Sequence, residues 1–269
     1  MSIPSQIIVN ADDIGLKPSV NKAILYCFEQ GYINSTSLLT NMDYFNDTVE
    51  FIHQNRVIQN IGLHVNFAEG KPVSNFAQTQ FLDAEGNWDI NKTGKLFTLL
   101  NKETKTAFLN EINAQLERAL TAKIKIDHID SHLHLHTLPA FYNLFINVAK
   151  YHNLKLRLAQ TYREGSYLKF YYRKYINNRI KVLGINHSEY FVTVEEFLKS
   201  HTNFSAERKV EIMVHPDFDA NGELFDHVDV NSTGDWIAYL TQNDLSQHLV
   251  ARLPFSTMVK IQEVNNSPN

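Results

Sequence analysis

The chain has 269 residues, 43% hydrophobic and 20% charged, which supplies ample material for a large core and excludes a disordered or collagen-like chain. Its 25 basic and 29 acidic residues leave a net charge of −4, against a general nucleic-acid binder, and its single cysteine, Cys27, excludes an intramolecular disulfide and a cysteine-based zinc cluster. The first ten residues, Met1 to Asn10, lack the regions of a signal peptide, and no apolar run approaches the roughly 18 residues of a membrane span, so a cytoplasmic globular protein without membrane contact is expected.

The run Gln6 to Asn10 is short, β-branched and almost continuously apolar, as a buried parallel strand should be. A helix follows, with Pro18 suited to its first turn, Val20, Ile24, Cys27 and Phe28 at helical spacing, and Gly31 able to cap it. A strand over Thr36 to Thr40, a helix near Asp43–Gln54 and a strand over Asn60 to Val65 come next. The following stretch, about 67–102, holds Gly70, Pro72, Gly86 and Gly94 and is too long for an ordinary strand-to-helix loop. It reads as an insertion over one mouth of the domain, with Phe67, Phe81 and Trp88 serving either as lid contacts or as local packing. A helix over Glu103–Thr121, a strand over Lys125 to Asp130, a helix from Pro139 to about His152 and a strand over Lys155 to Ala159 continue the alternation.

The segment Tyr162–Lys181 is rich in tyrosine and basic residues and reads poorly as core. Its Tyr162, Tyr167, Phe170, Tyr171, Tyr172 and Tyr175 suit either a sugar-stacking platform or an amphipathic helix with a solvated basic face. A helix near Val194–His201, a strand over Val210 to Val214, a helix over Thr233–Ala251 and a last strand over Thr257 to Gln262 complete the chain, with a fraying tail over Asn265–Asn269. This alternation predicts an α/β fold, a (β/α) barrel of about seven to eight parallel strands. No Gly-rich dinucleotide turn follows the first strand, which argues against a doubly wound sheet. Residues 1–269 read as one domain.

Acidic residues and histidines gather where strands end. The first strand ends in Asn10-Ala11-Asp12-Asp13, the third in His64-Val65-Asn66, the fourth runs into Asp130-Ser131-His132-Leu133-His134-Leu135-His136, and the strand at Val210 ends in His215-Pro216-Asp217. In parallel α/β folds these ends share the face that carries the active site. Taken singly, an Asp pair is often a helix cap and His64 a packing residue. Three histidines at period two beside Asp and Ser make poor core.

If residues 132–136 are extended, successive same-face side chains lie about 6.6 Å apart. Metal–nitrogen bonds are only about 2.0–2.1 Å, so one ion cannot take all three. One histidine then ligates and the others orient ligands or touch substrate. The favoured ligand set is one carboxylate from the first strand, His64 and His132. The pair Asp12-Asp13 suits a division of labour, one carboxylate on the metal and one free as base, and His215 is the candidate acid. No serine sits in a GxSxG elbow, which weakens a Ser-His-Asp reading.

The segments Asn10-Ala11-Asp12-Asp13-Ile14-Gly15, Gly62-Leu63-His64-Val65-Asn66, Asp130 to His136 and Val214-His215-Pro216 together resemble the YdjC-like carbohydrate deacetylase family. Its better-known members remove acetyl groups from N-acetylated chito-oligosaccharides. The resemblance implies a (β/α) barrel related to polysaccharide deacetylases, a homodimer, and a hydrolase acting on a small carbohydrate. It implies that Asp13, His64 and His132 hold the metal, with Asp12 as base and His215 as acid. Asp130, His134, His136 and Arg157 are left as contacts to substrate or to the ligands. The family's metal is Mg2+, whereas two imidazoles and a carboxylate suit Zn2+, cobalt, nickel or iron better by ligand softness. The sequence departs from the family pattern at Arg157-Leu158-Ala159, where an Arg-x-Pro-like segment is usual, and at Ile14, where Phe is common. The competing readings are a metal-dependent phosphoesterase or amidohydrolase on the same barrel plan, and a non-catalytic sugar-binding protein.

Overall fold

Short, mostly buried segments, too brief for helices, build a sheet of seven parallel strands. The computed structural model describes residues 3–96, 98–200 and 208–243. The strands are β1 (Ile7–Ile14), β2 (Ser35–Leu38), β3 (Ile61–Val65), β4 (Ile126–Ser131), β5 (Lys155–Leu156), β6 (Tyr190–Thr193) and β7 (Val210–Val214), in the order β5-β4-β3-β2-β1-β7-β6. Helices α1 (Pro18–Glu29), α2 (Phe45–Gln54), α3 (Ile90–Thr93), α4 (Lys102–Thr121), α5 (Tyr142–His152), α6 (Tyr167–Val182) and α7 (Val194–Ser200) alternate with them. An antiparallel hairpin, β8 (Pro216–Phe218) and β9 (Leu224–Asp226), precedes α8 (Ser232–Gln242).

The sheet curls until its two edges approach. Leu156 N donates to Asn186 O at 2.8 Å and Thr161 N to Phe191 O at 3.0 Å, so backbone hydrogen bonds cross the seam between the β5 and β6 sides. A partly closed barrel is the result, with every strand's carboxyl end at one rim. The expected strand over Thr257 to Gln262, the tail and the far part of the helix over Thr233–Ala251 lie outside the described residues. The expected strand over Lys155 to Ala159 is paired for only two residues, and β6 and the β8–β9 hairpin are additions to the sequence reading.

Local chemistry accounts for the element ends. Pro18 occupies the first turn of α1, and Gly31, at φ +72°, takes the left-handed position after it, where Tyr32 N reaches back to Cys27 O at 2.8 Å. Gly62 faces His128 across the β3–β4 register, and a Cβ there would stand 2.2 Å from the His128 ring, so only glycine lets the two strands pair. The insertion packs rather than hovers. Phe67, Phe76, Phe81 and Trp88 are buried, with Phe67 5.0 Å and Phe81 5.0 Å from Phe108 of α4 by ring centroid. Glu111 of α4 accepts the backbone N–H groups of Val73 and Ser74 at 2.9 and 2.7 Å, which ties the loop to the helix. Phe67, Phe81 and Trp88 are therefore local packing. Helix α6 buries Arg173, Ile176, Asn177 and Ile180 and turns Tyr167, Tyr171 and Tyr175 to solvent, the periodicity of an amphipathic surface helix.

Candidate metal centre

Adjacent residues of a regular strand point to opposite faces, so Asp12 and Asp13 should not both reach one site. The register of β1 against β2 shifts between Ala11 and Ile14, and Asp13 takes a left-handed backbone at φ +73°. This bulge turns both carboxylates toward the barrel's carboxyl rim. β3 brings His64 to the same rim, and β4 brings Asp130 and then His132.

Ligand atoms of Asp13, His64 and His132 all lie within 4.8 Å of one another, and the group is buried. Asp13 Oδ1 is 3.2 Å from His64 Nε2 and 2.8 Å from His132 Nδ1. His64 Nδ1 is 2.7 Å from Asp130 Oδ1, so that nitrogen donates and Nε2 is left to face Asp13. His132 Nε2 is 3.1 Å from Glu69 Oε1, a carboxylate delivered by the loop after β3. One carboxylate and two imidazoles at this separation could hold a divalent metal.

Burial would depress the His64 pKa, but the charges of Asp130 and Asp12 outweigh it and raise it to about 10. Burial likewise opposes, and the Asp13 charge and hydrogen bond overcome it, at His132, raised to about 9. Asp13 is correspondingly held well below its ordinary value: burial pushes up, and the His132 charge with hydrogen bonds from His132, His227 and His64 prevail.

Asp12 sits beside this group in a different setting. Arg157, a fully buried side chain, reaches Asp12 with two nitrogens, Nη1 to Oδ2 at 2.7 Å and Nη2 to Oδ1 at 2.8 Å. The same guanidinium contacts Asp130 Oδ2 at 2.6 Å and Glu211 Oε1, through Nε, at 2.5 Å. Asn10 Nδ2 donates to Asp12 Oδ1 at 2.7 Å. Burial raises the Asp12 pKa, yet Arg157 and then His64 outweigh it, so the carboxylate stays ionised below its usual range. Arg157 thus lies beneath the site, locked to carboxylates.

His215 stands across from Asp12, its Nε2 3.9 Å from Oδ2. Asp226 of the β8–β9 hairpin fixes it, accepting His215 N–H at 2.7 Å and lying 3.4 Å from Nδ1. Burial lowers the His215 pKa, and Asp226 with Asp12 more than reverses that, for a net upward shift.

The remaining histidines of the cluster separate. Residues 132–137 form a short 3-10 turn with Leu133 and His134 at φ +51° and +55°, so the extended geometry assumed from the sequence does not occur. His134 turns toward Phe191, 5.7 Å by ring centroid, and burial followed by the Arg157 charge lowers its pKa to about 3, so it is neutral. His136 points inward, Nδ1 on Ser131 Oγ at 2.8 Å, with its ring against Phe145. Glu69, Glu211, Asp226 and His227 at this centre escaped the sequence reading. The only sequence signal was the Asp226-His227 pair soon after the fourth motif.

A parallel α/β barrel with a buried carboxylate–imidazole centre at its carboxyl rim, able to hold a divalent metal, is the class that fold and site define. Residues 6–249 match the family model of YdjC-like proteins, and the chain belongs to that family. A carbohydrate deacetylase of Vibrio parahaemolyticus is 26% identical over 212 residues, 78% of each chain. One from Brevibacillus brevis is 28% identical over 216 residues, 78% of this chain and 81% of its own. A solved structure from Enterococcus faecalis, of a candidate cellobiose-phosphate cleavage protein, superposes with a TM-score of 0.69 over 94% of this chain and 98% of its own at 19% identity, and shares the fold.

Proposed function

We propose that this chain is a metal-dependent carbohydrate deacetylase that hydrolyses the acetamide of an N-acetylated sugar. The observation that carries this reading is one buried rim where a carboxylate–bis-imidazole group lies beside an ionised carboxylate, Asp12, whose Oδ2 is 3.9 Å from an imidazole with a raised pKa, His215. The names of the relatives, carbohydrate deacetylase, agree with it.

In this reading Asp13, His64 and His132 hold the metal. The donor set fits: one hard oxygen and two imidazoles, with His64 oriented through Nδ1 by Asp130. A divalent cation there would polarise the acetyl carbonyl and acidify the attacking water. Asp12 accepts the water's proton at Oδ2, the oxygen that faces His215, while Arg157 keeps that carboxylate ionised and aimed. His215 gives a proton from Nε2 to the departing amine nitrogen, and Asp226 steadies the cationic ring as it waits. His134, neutral and only partly buried, suits contact with the sugar or its acyl group.

Chito-oligosaccharides are the substrate class the resemblance favours, a homodimer is the state it favours, and Mg2+ is its metal. The imidazole pair makes Zn2+ the stronger physical candidate. Among the described residues no helix is long and apolar enough to cross a membrane.

Acetate release from di-N-acetylchitobiose tests the roles. Asp12→Asn and His215→Ala are each expected to retain stoichiometric metal and to lower turnover by about 10²–10⁴-fold, the range for losing an acid or base. Full turnover in either variant removes that residue from the mechanism. Metal analysis tests the ligands: His64→Ala and His132→Ala should each lose the ion and His134→Ala should keep it. Loss in all three would mean that the ligand set is wider.

A further inference from the structure

His227 follows the last residue of β9 and belongs to none of the parallel strands, yet its Nε2 lies 3.2 Å from Asp13 Oδ2. Asp13 is ionised and can only accept, so Nε2 carries the proton. The opposite nitrogen, Nδ1, is buried with no hydrogen-bond partner among the described residues.

The two oxygens of Asp13 have different neighbours. His64 Nε2 and His132 Nδ1 both meet Oδ1, and His227 alone of the three imidazoles meets Oδ2. His227 is outside the group whose ligand atoms lie mutually within 4.8 Å. His64 and His132 thus crowd the oxygen that would face a cation, and His227 holds the opposite oxygen of the same carboxylate.

That donor is held firmly. His227 N donates to His215 O at 3.0 Å, and Val228 N and Asp229 N both donate to Asp226 Oδ1, at 3.1 and 3.0 Å. The ring meets His215 edge-on with centroids 5.6 Å apart. Asp13 itself sits in a left-handed backbone that offers no regular-strand support for its side chain.

We propose that His227 is a positioning residue of the metal centre, binding Asp13 Oδ2 so that Oδ1 stays aimed between His64 and His132. The inference rests on the metal-centre reading given above. Zn2+ affinity, measured by competition with a chromophoric chelator alongside thermal unfolding of the metal-free protein, tests it. His227→Ala should weaken Zn2+ binding about 10–100-fold, the usual effect of removing such a partner. His227→Gln, which keeps a side-chain N–H donor, should recover most of that loss, and Val228→Ala at the exposed neighbouring position should bind as the unsubstituted protein does. Metal-free unfolding should be similar in all four. Unchanged affinity in His227→Ala overturns the proposal, as does equal loss in the Ala and Gln variants with a matching fall in metal-free stability. If the unsubstituted protein takes up neither Zn2+ nor Mg2+, the metal-centre reading falls and takes the proposal with it, an outcome separate from the other two.

Discussion

Replacing Arg157 by methionine should destabilise the protein by about 3–5 kcal/mol, the cost of leaving buried charges without their partner. The guanidinium is fully buried and touches Asp12, Asp130 and Glu211 at 2.5–2.8 Å. Methionine nearly matches the aliphatic part of arginine, so the loss reports charge rather than volume. The three carboxylates would face one another across the barrel interior, and Asp12 would lose both the cation that keeps it ionised and the fork that aims it. Turnover should fall with stability, even at temperatures where the variant remains folded. Denaturant unfolding reads the first effect and acetate release below the transition reads the second. A change under about 1 kcal/mol would mean that the network is not held by this cation.

The second large effect concerns pH. In the metal-free protein His64 and His132 have pKa values raised to about 10 and about 9, so both are cationic at neutral pH. A metal must displace those protons. Affinity should therefore rise steeply with pH below about 9, approaching two log units per pH unit while both protons are released. Stability runs the other way. Protonation of these rings stabilises the folded metal-free protein fully below the unfolded value near 6.5. That contribution fades as pH rises through about 9 and about 10, where a bound cation takes over the charge balance. The melting-temperature increase produced by metal should thus be larger at pH 9 than at pH 6.5. Calorimetric titration in buffers of different ionisation enthalpy counts the protons. Binding without proton release, at one affinity from pH 6.5 to 8.5, would contradict this assignment.

The parts of the fold legible in the sequence were those built from local pattern. β1, β3, β4 and β7 are short segments with buried apolar positions, and each carries an acidic residue or histidine at or just past its end that the parallel topology brings to one rim. What escaped was set by distant partners or by backbone shape without a residue signal. β6 is only four residues long and draws its identity from pairing with β7. The turn at Leu133 and His134 is left-handed without glycine or asparagine, so period-two spacing misled. Arg157 and Asp12 are 145 residues apart, and nothing local marks the arginine as their clamp. The β8–β9 hairpin, made of two three-residue strands, hides the sources of Asp226 and His227. Glu69 sits in a loop whose approach to His132 depends on how the insertion packs on α4.

The deacetylase reading meets its most direct test in acetate release from di-N-acetylchitobiose by protein stripped of metal and then reloaded with Zn2+ or Mg2+. Acetate should be absent from the stripped protein and return with at least one of the two ions, in proportion to the metal bound. Equal release before and after reloading, or none with either ion at full metal occupancy, would contradict it.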